Sequence, residues 1–218
     1  MRSKFDEQLK KLNQELLYMG TMIEENIQQA IEALVKSDVK KAERIVENDE
    51  MIDQKQRDIE RLCFNLLIQQ QPVAKDLRVI TAALKMVTDM ERIGDHAVDI
   101  SEITVLLASQ GERNNYDTLS KMASEASVML ISSIDAFAEK SKEKAEEVIA
   151  HDDVVDELFL QIKDELVKQI RETRTHGEQE MDLLMIAKYL ERIGDHATNI
   201  AEWVIFSLNN SVQTKNRN

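Results

Sequence analysis

Apolar residues Leu9, Leu12, Leu16, Met19, Ile23, Ile27, Ala30, Ile31 and Leu34 advance in steps of three and four. That spacing keeps one face of a helix apolar and predicts a single long α-helix. Ser37-Asp38 follows, a turn whose aspartate can cap the next helix. The second helix is expected over about 39–70, ended by Pro72, because the residue before a proline resists the α conformation. The third opens near Val73 and runs to about residue 109, proline being comfortable in a first turn. After the short loop-like stretch Gly111–Asn115 the plan repeats, with helices over about 116–139, 142–174 and 179–208. Ser141 is the expected cap of the fifth helix, and His176-Gly177 the turn before the sixth.

The repetition extends to the letters. Glu91-Arg92-Ile93-Gly94-Asp95-His96-Ala97 recurs unchanged as Glu191-Arg192-Ile193-Gly194-Asp195-His196-Ala197, an offset of 100 residues. Upstream, Asp49 and Asp53 match Asp152 and Asp156 at an offset of 103. The second copy is therefore three residues shorter between Asp156 and Glu191, and a hairpin is the natural place for that deletion. A fixed-period repeat of this kind means one structural unit used twice. The fold expected is all-α: two pseudo-symmetric three-helix bundles, six long antiparallel helices in all. The first unit spans 1–112, the second 115–209, and 210–218 form a polar tail. Helices of up to about 30 residues would be roughly 45 Å long.

Composition fits that reading. Aromatic residues make up 4% of the chain, with five glycines and one proline, which disfavours a sandwich of strands and turns. A net charge of −13 argues against nucleic-acid binding, which needs clustered Lys and Arg. The one cysteine, Cys63, lies in an apolar stretch and reads as a buried structural thiol. The N-terminal residues lack the apolar segment of a signal peptide. No apolar run approaches the ~20 residues of a membrane span, so the expectation is a cytoplasmic protein without membrane insertion.

The chemistry concentrates in the repeated motif. On a helical wheel with Glu91 at zero, Asp95, Asp99 and Glu102 fall at about 40°, 80° and 20°. In the second copy Glu191, Asp195 and Glu202 share the same stripe, with Asn199 in place of the third acid. Like charges four apart on a helix are destabilising, so a penalty paired at equivalent positions points to a cation that offsets it. Asp49 with Asp53, and Asp152 with Asp156, lie at a comparable distance from the hairpin on the preceding helix. Each unit can thus present four or five oxygens across one helix–helix groove, a donor set for Mg²⁺, Mn²⁺, Ca²⁺ or iron, with room for bridging carboxylates and more than one ion. The alternative is a solvated face, or pairing with Arg92 and Arg192. Gly94 and Gly194 would let a neighbouring helix or a metal cluster come close. His96 and His196 lie about 140° off the stripe and read as packing or hydrogen-bonding residues rather than ligands. None of the four histidines has a glutamate three positions before it, which disfavours the Glu-x-x-His di-iron enzymes. No phosphate loop or nucleophile constellation is present, so the chain does not read as an enzyme.

At these residues the chain resembles the PhoU family. The resemblance covers the whole length: a tandem repeat of three-helix units each ending in Glu-Arg-Ile-Gly-Asp, the segment Gln71-Pro72-Val73-Ala74-Lys75-Asp76-Leu77-Arg78, and the Asp49–Asp53 block. It implies multinuclear metal sites of iron, zinc, manganese or magnesium. The ligands would be Asp49, Asp53, Glu91, Asp95 and Asp99 in the first unit, and Asp152, Asp156, Glu191, Asp195 and Asn199 in the second. Asn199 offers one neutral oxygen, implying a weaker second site. It further implies a negative regulator of phosphate uptake and of the phosphate-starvation response, linking the ATPase subunit of a phosphate ABC transporter to a sensor histidine kinase, as a homodimer or higher oligomer. A metal-dependent hydrolase and a metal-free helical scaffold are the rival expectations.

Overall fold

The computed structural model describes residues 2–69, 73–108, 116–173 and 177–209. All described elements are helices: α1 (Arg2–Lys36), α2 (Val39–Glu47), α3 (Asp49–Gln69), α4 (Ala74–Ala108), α5 (Asp117–Glu139), α6 (Lys142–Thr173) and α7 (Glu178–Leu208). They form the six expected rods, because α2 and α3 are one rod broken at Asn48. Pro72, the 111–115 stretch between the units, His176 and the 210–218 tail lie outside the described residues.

The capping chemistry follows the sequence. Asp38 Oδ1 accepts from the backbone N–H of Lys41 at 3.1 Å, and Ser141 Oγ accepts from that of Lys144 at 3.2 Å. α1 and α5 each end on a left-handed residue at the same repeat position, Ser37 (φ 50) and Lys140 (φ 58). Glycine is the residue this position usually carries.

The break at Asn48 has no counterpart in the second unit, where His151 sits within an uninterrupted α6. Asn48 turns its N–H to the carbonyls of Arg44 and Val46, and its own carbonyl accepts from Met51 N at 3.0 Å. Asparagine offers the backbone alternatives to a regular ladder, which suits it to such an interruption. The break leaves Asp49 and Glu50 in the first turn of α3, where the helix dipole favours carboxylates.

The predicted face of α1 is buried: Leu12, Leu16, Met19, Ile23, Ile27 and Ala30 have no exposed surface. Cys63 is also fully buried, and burial pushes its thiol up to about 12. The two three-helix units pack directly against each other. One continuous core runs through both, and the most extensive helix pairing is α4 with α7, one from each unit. Small residues make this possible: Ala82, Ala83 and Ala97 on α4 and Ala187, Ala197 and Ala201 on α7 are all buried. A second seam joins α1 to α5 at Gly20, where Ile134 packs onto the bare backbone.

The α4–α7 seam carries the pseudo-twofold relation between the halves. The rings of His96 and His196 are 5.7 Å apart. His96 stacks on Tyr189 of the other half at 5.4 Å, while His196 Nδ1 lies 2.9 Å from Asp89 Oδ1. Asp89 and Tyr189 occupy equivalent positions of the two copies.

Candidate metal centre

The acidic residues come from antiparallel neighbours, α3 facing α4 and α6 facing α7. Gly94 sets how close the first pair approaches. A methyl group there would meet Ile52 Cγ2 at 3.1 Å and Cδ1 at 3.2 Å. At Gly194 it would meet Asp152 Oδ1 at 3.2 Å and Val155 Cγ1 at 3.3 Å. Helix packing accounts for the first glycine. At the second, an acidic side chain of the groove itself occupies the vacated space.

In the first groove Asp53, Glu91 and Asp95 bring one carboxylate oxygen each within 4.8 Å of one another. Asp49 stands beside them, with its Oδ1 buried and without a hydrogen-bond partner. Burial is the main cause that raises the Asp49 carboxyl above its usual range, and the charges of Asp95, Asp53, Asp99 and Glu102 add to it. Glu91 is raised for the same reasons, burial first and then Asp95, with Arg92 pulling the other way. A buried carboxylate oxygen lacking any donor is costly, and four acids that repel one another add to that cost. A divalent ion removes both penalties, so this donor set fits a hard cation.

Cations of the chain already compete for these oxygens. Arg92 Nη1 lies 3.0 Å from Asp95 Oδ2 and Nε 3.5 Å from Glu91 Oε2; Arg57 Nη1 is 3.5 Å from Asp53 Oδ2. The two arginine side chains are 57% and 46% exposed, and ion pairs so open to water contribute about 0–1 kcal/mol. They neutralise the groove only weakly. Asp99, the fifth expected ligand, is 3.2 Å from His96 Nδ1 and so bridges the groove and the seam.

The second groove is built from the same letters but arranged differently. Burial raises the Asp152 carboxyl, helped by Asp156 and Asp195. Burial also raises Asp195, helped by Glu191 and opposed by Lys188. These four acids therefore feel one another across α6 and α7. The Thr198 hydroxyl is buried without a well-formed hydrogen bond but lies close enough to Asp152 to offset part of that rise. Glu191 is ion-paired with Lys188, whose Nζ also sits 5.5 Å over the Phe159 ring. Asn199, the fifth expected ligand, donates its Nδ2 to Asp89 Oδ1 at 3.4 Å.

Lys188, Asp89 and Tyr189 were not among the residues the sequence singled out. Their signal lies where the copies differ: Thr88 against Lys188 and Asp89 against Tyr189, just before the invariant motif.

Fold and grooves together define a class: an all-helical tandem repeat with one acidic helix–helix groove in each half. The chain belongs to the PhoU family, whose PhoU domain profile matches residues 16–104 and again 119–204. It is 40% identical over 206 residues to the phosphate-specific transport system accessory protein PhoU homolog of Clostridium acetobutylicum, covering 94% of each chain. It is 34% identical over 203 residues to the protein of the same description from Pseudomonas aeruginosa, covering 93% of this chain and 84% of that one. The crystal structure of PhoU from Pseudomonas aeruginosa superposes with a TM-score of 0.87 at 33% identity, over 95% of this chain and all of that one. The phosphate transport system regulatory protein PhoU from Streptococcus pneumoniae gives 0.85 at 27% identity, over 95% and 98%.

Proposed function

We propose that this protein is a cytoplasmic, non-catalytic accessory protein of a phosphate-specific transport system. It restrains phosphate uptake and the phosphate-starvation response when phosphate is plentiful. In this role it binds the ATPase subunit of the transporter and a sensor histidine kinase, and it works as a homodimer or higher oligomer. The observation that carries the reading is full-length likeness to relatives described as accessory proteins of that system. The absence of any helix, among the described residues, long and apolar enough to cross a membrane agrees with a peripheral role.

In this reading Asp49, Asp53, Glu91 and Asp95 hold a divalent ion in the first groove, with Asp99 at its edge. Asp152, Asp156, Glu191 and Asp195 do so in the second. The buried, unpartnered oxygen of Asp49 and the raised carboxyls in both grooves support it. Bound metal supplies positive charge that lets opposing carboxylates coexist. The residues then tie α3 to α4 and α6 to α7, which stabilises this state by mass action and leaves the outer helix faces for docking.

The test is a phosphate-starvation reporter in cells lacking the gene, grown with ample phosphate. The wild-type gene silences the reporter, and a Glu91→Gln/Glu191→Gln gene silences it less. In vitro, the purified protein binds the kinase and the ATPase subunit, more weakly for the variant. A reporter that stays silent without the gene contradicts the regulatory reading. Unchanged metal and partner binding by the variant contradicts the role of the grooves.

A further inference from the structure

A cleft away from the acidic grooves lies where the first turns of α1 and α4 meet the last turns of α5 and α7. Its volume is about 660 Å³, inside the ~300–1,000 Å³ range of small-molecule sites. Lys75 at its rim is 16 positions before Glu91 on the same helix, about 24 Å away at 1.5 Å per residue. The cleft is therefore distinct from the acidic grooves.

Three lysines from three helices line it: Lys10 of α1, Lys75 of α4 and Lys140 at the end of α5. None of their ammonium groups has an ion-pair or hydrogen-bond partner among the described residues. In a chain of net charge −13, a cleft whose three lysines outnumber its two carboxylates and form no ion pair favours an anion. Asp6 and Asp76 line the same cleft. They would repel a bare phosphate, but they accept hydrogen bonds from hydroxyl and amino groups. Leu9, Phe137 and Leu208 add an apolar wall, which inorganic phosphate cannot use. Phosphate charge, hydroxyl or amino donors and a flat apolar ring occur together in one ligand class.

We propose that the cleft binds a nucleotide, with Lys10, Lys75 and Lys140 holding its phosphates, Asp6 and Asp76 its ribose or base donors, and Leu9, Phe137 and Leu208 its ring. Neither lysines nor apolar wall belong to the metal reading, so the two stand or fall separately.

The experiment is calorimetric titration of the full chain with ATP, with EDTA present so that the acidic grooves cannot capture nucleotide through a metal. ATP is expected to bind saturably, one per chain. The variant Lys10→Ala/Lys75→Ala/Lys140→Ala is expected to bind at least about tenfold more weakly with an unchanged melting temperature. Leu208→Gln, which leaves every lysine in place, is expected to weaken ATP as well. Inorganic phosphate at millimolar concentration should compete poorly. Lack of saturable binding, undiminished affinity in the lysine variant, or competition by phosphate equal to that by ATP would each overturn the proposal.

Discussion

Lys188 is ion-paired with Glu191, one turn earlier on α7, whereas the equivalent place before Glu91 holds Thr88, whose hydroxyl donates to its own helix at Leu84 O. The two grooves share four acids, but the lysine beside Glu191 has no counterpart beside Glu91. Glu191 thus has a lysine partner of its own, where Glu91, among the described residues, has only Arg92 Nε at 3.5 Å. Exchanging the two residues should exchange that behaviour. Lys188→Thr is expected to tighten metal binding in the second groove, and Thr88→Lys to weaken it in the first, each by an amount on the order of tenfold, or 1.4 kcal/mol. Mn²⁺ titration of both variants checks this. Affinities unchanged from wild type in both variants would remove Lys188 as a competitor for the metal.

The repulsion among the acids has a sign that can be measured without metal. Burial and Asp95 raise the Glu91 carboxyl above its usual range. The folded chain therefore holds a proton at pH values where the unfolded chain has released it, and an ionised Glu91 destabilises the fold. That penalty is absent near and below the unfolded value of about 4.3 and is fully developed above the raised folded value. In EDTA, Glu91→Gln is expected to stabilise the protein at pH 7 by about 0.5–1 kcal/mol, or roughly 1–4 °C in melting temperature. The advantage should shrink to nothing near pH 4.5. Thermal melts of wild type and variant across that range decide it, and a variant less stable than wild type at pH 7 would contradict the account.

Burial acts oppositely on His96, whose pKa it lowers, although Asp99 pulls it back up. The neutral ring is favoured in the fold, so this residue's contribution is present above about pH 6.5, the unfolded value. It is lost as the pH falls from there toward the lowered folded value. A His96→Gln variant should therefore lose less stability than wild type between pH 7 and pH 5.5, measured by urea unfolding at each pH.

The two motif glycines predict different defects. Gly94 faces hydrocarbon, Ile52 at 3.1 Å, so Gly94→Val forces α3 from α4 and should cost about 1–3 kcal/mol by overpacking. Gly194 faces the Asp152 carboxylate at 3.2 Å. Gly194→Ala should displace that acid and reduce metal occupancy of the second groove, with little change in stability because alanine favours the helix by about 1 kcal/mol. Chemical denaturation and metal titration of both variants separate the two effects.

Ser37 holds φ 50 at the end of α1, a conformation that costs an ordinary residue about 1–2 kcal/mol. Ser37→Gly should raise stability by about 0.5–1 kcal/mol, read from the urea midpoint.

Much of this was legible in the chain. Steps of three and four gave the face of α1 because a helix with one buried side writes its period directly into the sequence, and the side chains of Asp38 and Ser141 mark the starts of α2 and α6. The verbatim repeat singled out Glu91 and Asp95, and comparable distance from the hairpin put Asp53 opposite them on the preceding helix. The break at Asn48 was hidden because its counterpart, His151, lies in the same apolar rhythm without a break. The shared core was hidden because periodicity reveals a buried face but not which helix covers it; α4 is buried against both its own unit and α7. The contacts of Lys188 with Glu191 and of Asn199 with Asp89 depend on side-chain reach across a turn or a seam. They surface in the sequence only as mismatches between the copies.

The central claim is that the acidic grooves hold divalent metal in this protein. Elemental analysis of untagged protein, purified without chelator, tests it most directly when wild type and Glu91→Gln/Glu191→Gln are compared. The account predicts one or more ions per repeat unit in wild type and their loss from the variant. Folded wild-type protein that carries no metal, and whose melting temperature is indifferent to added Mn²⁺, Fe²⁺ or Zn²⁺, would contradict it.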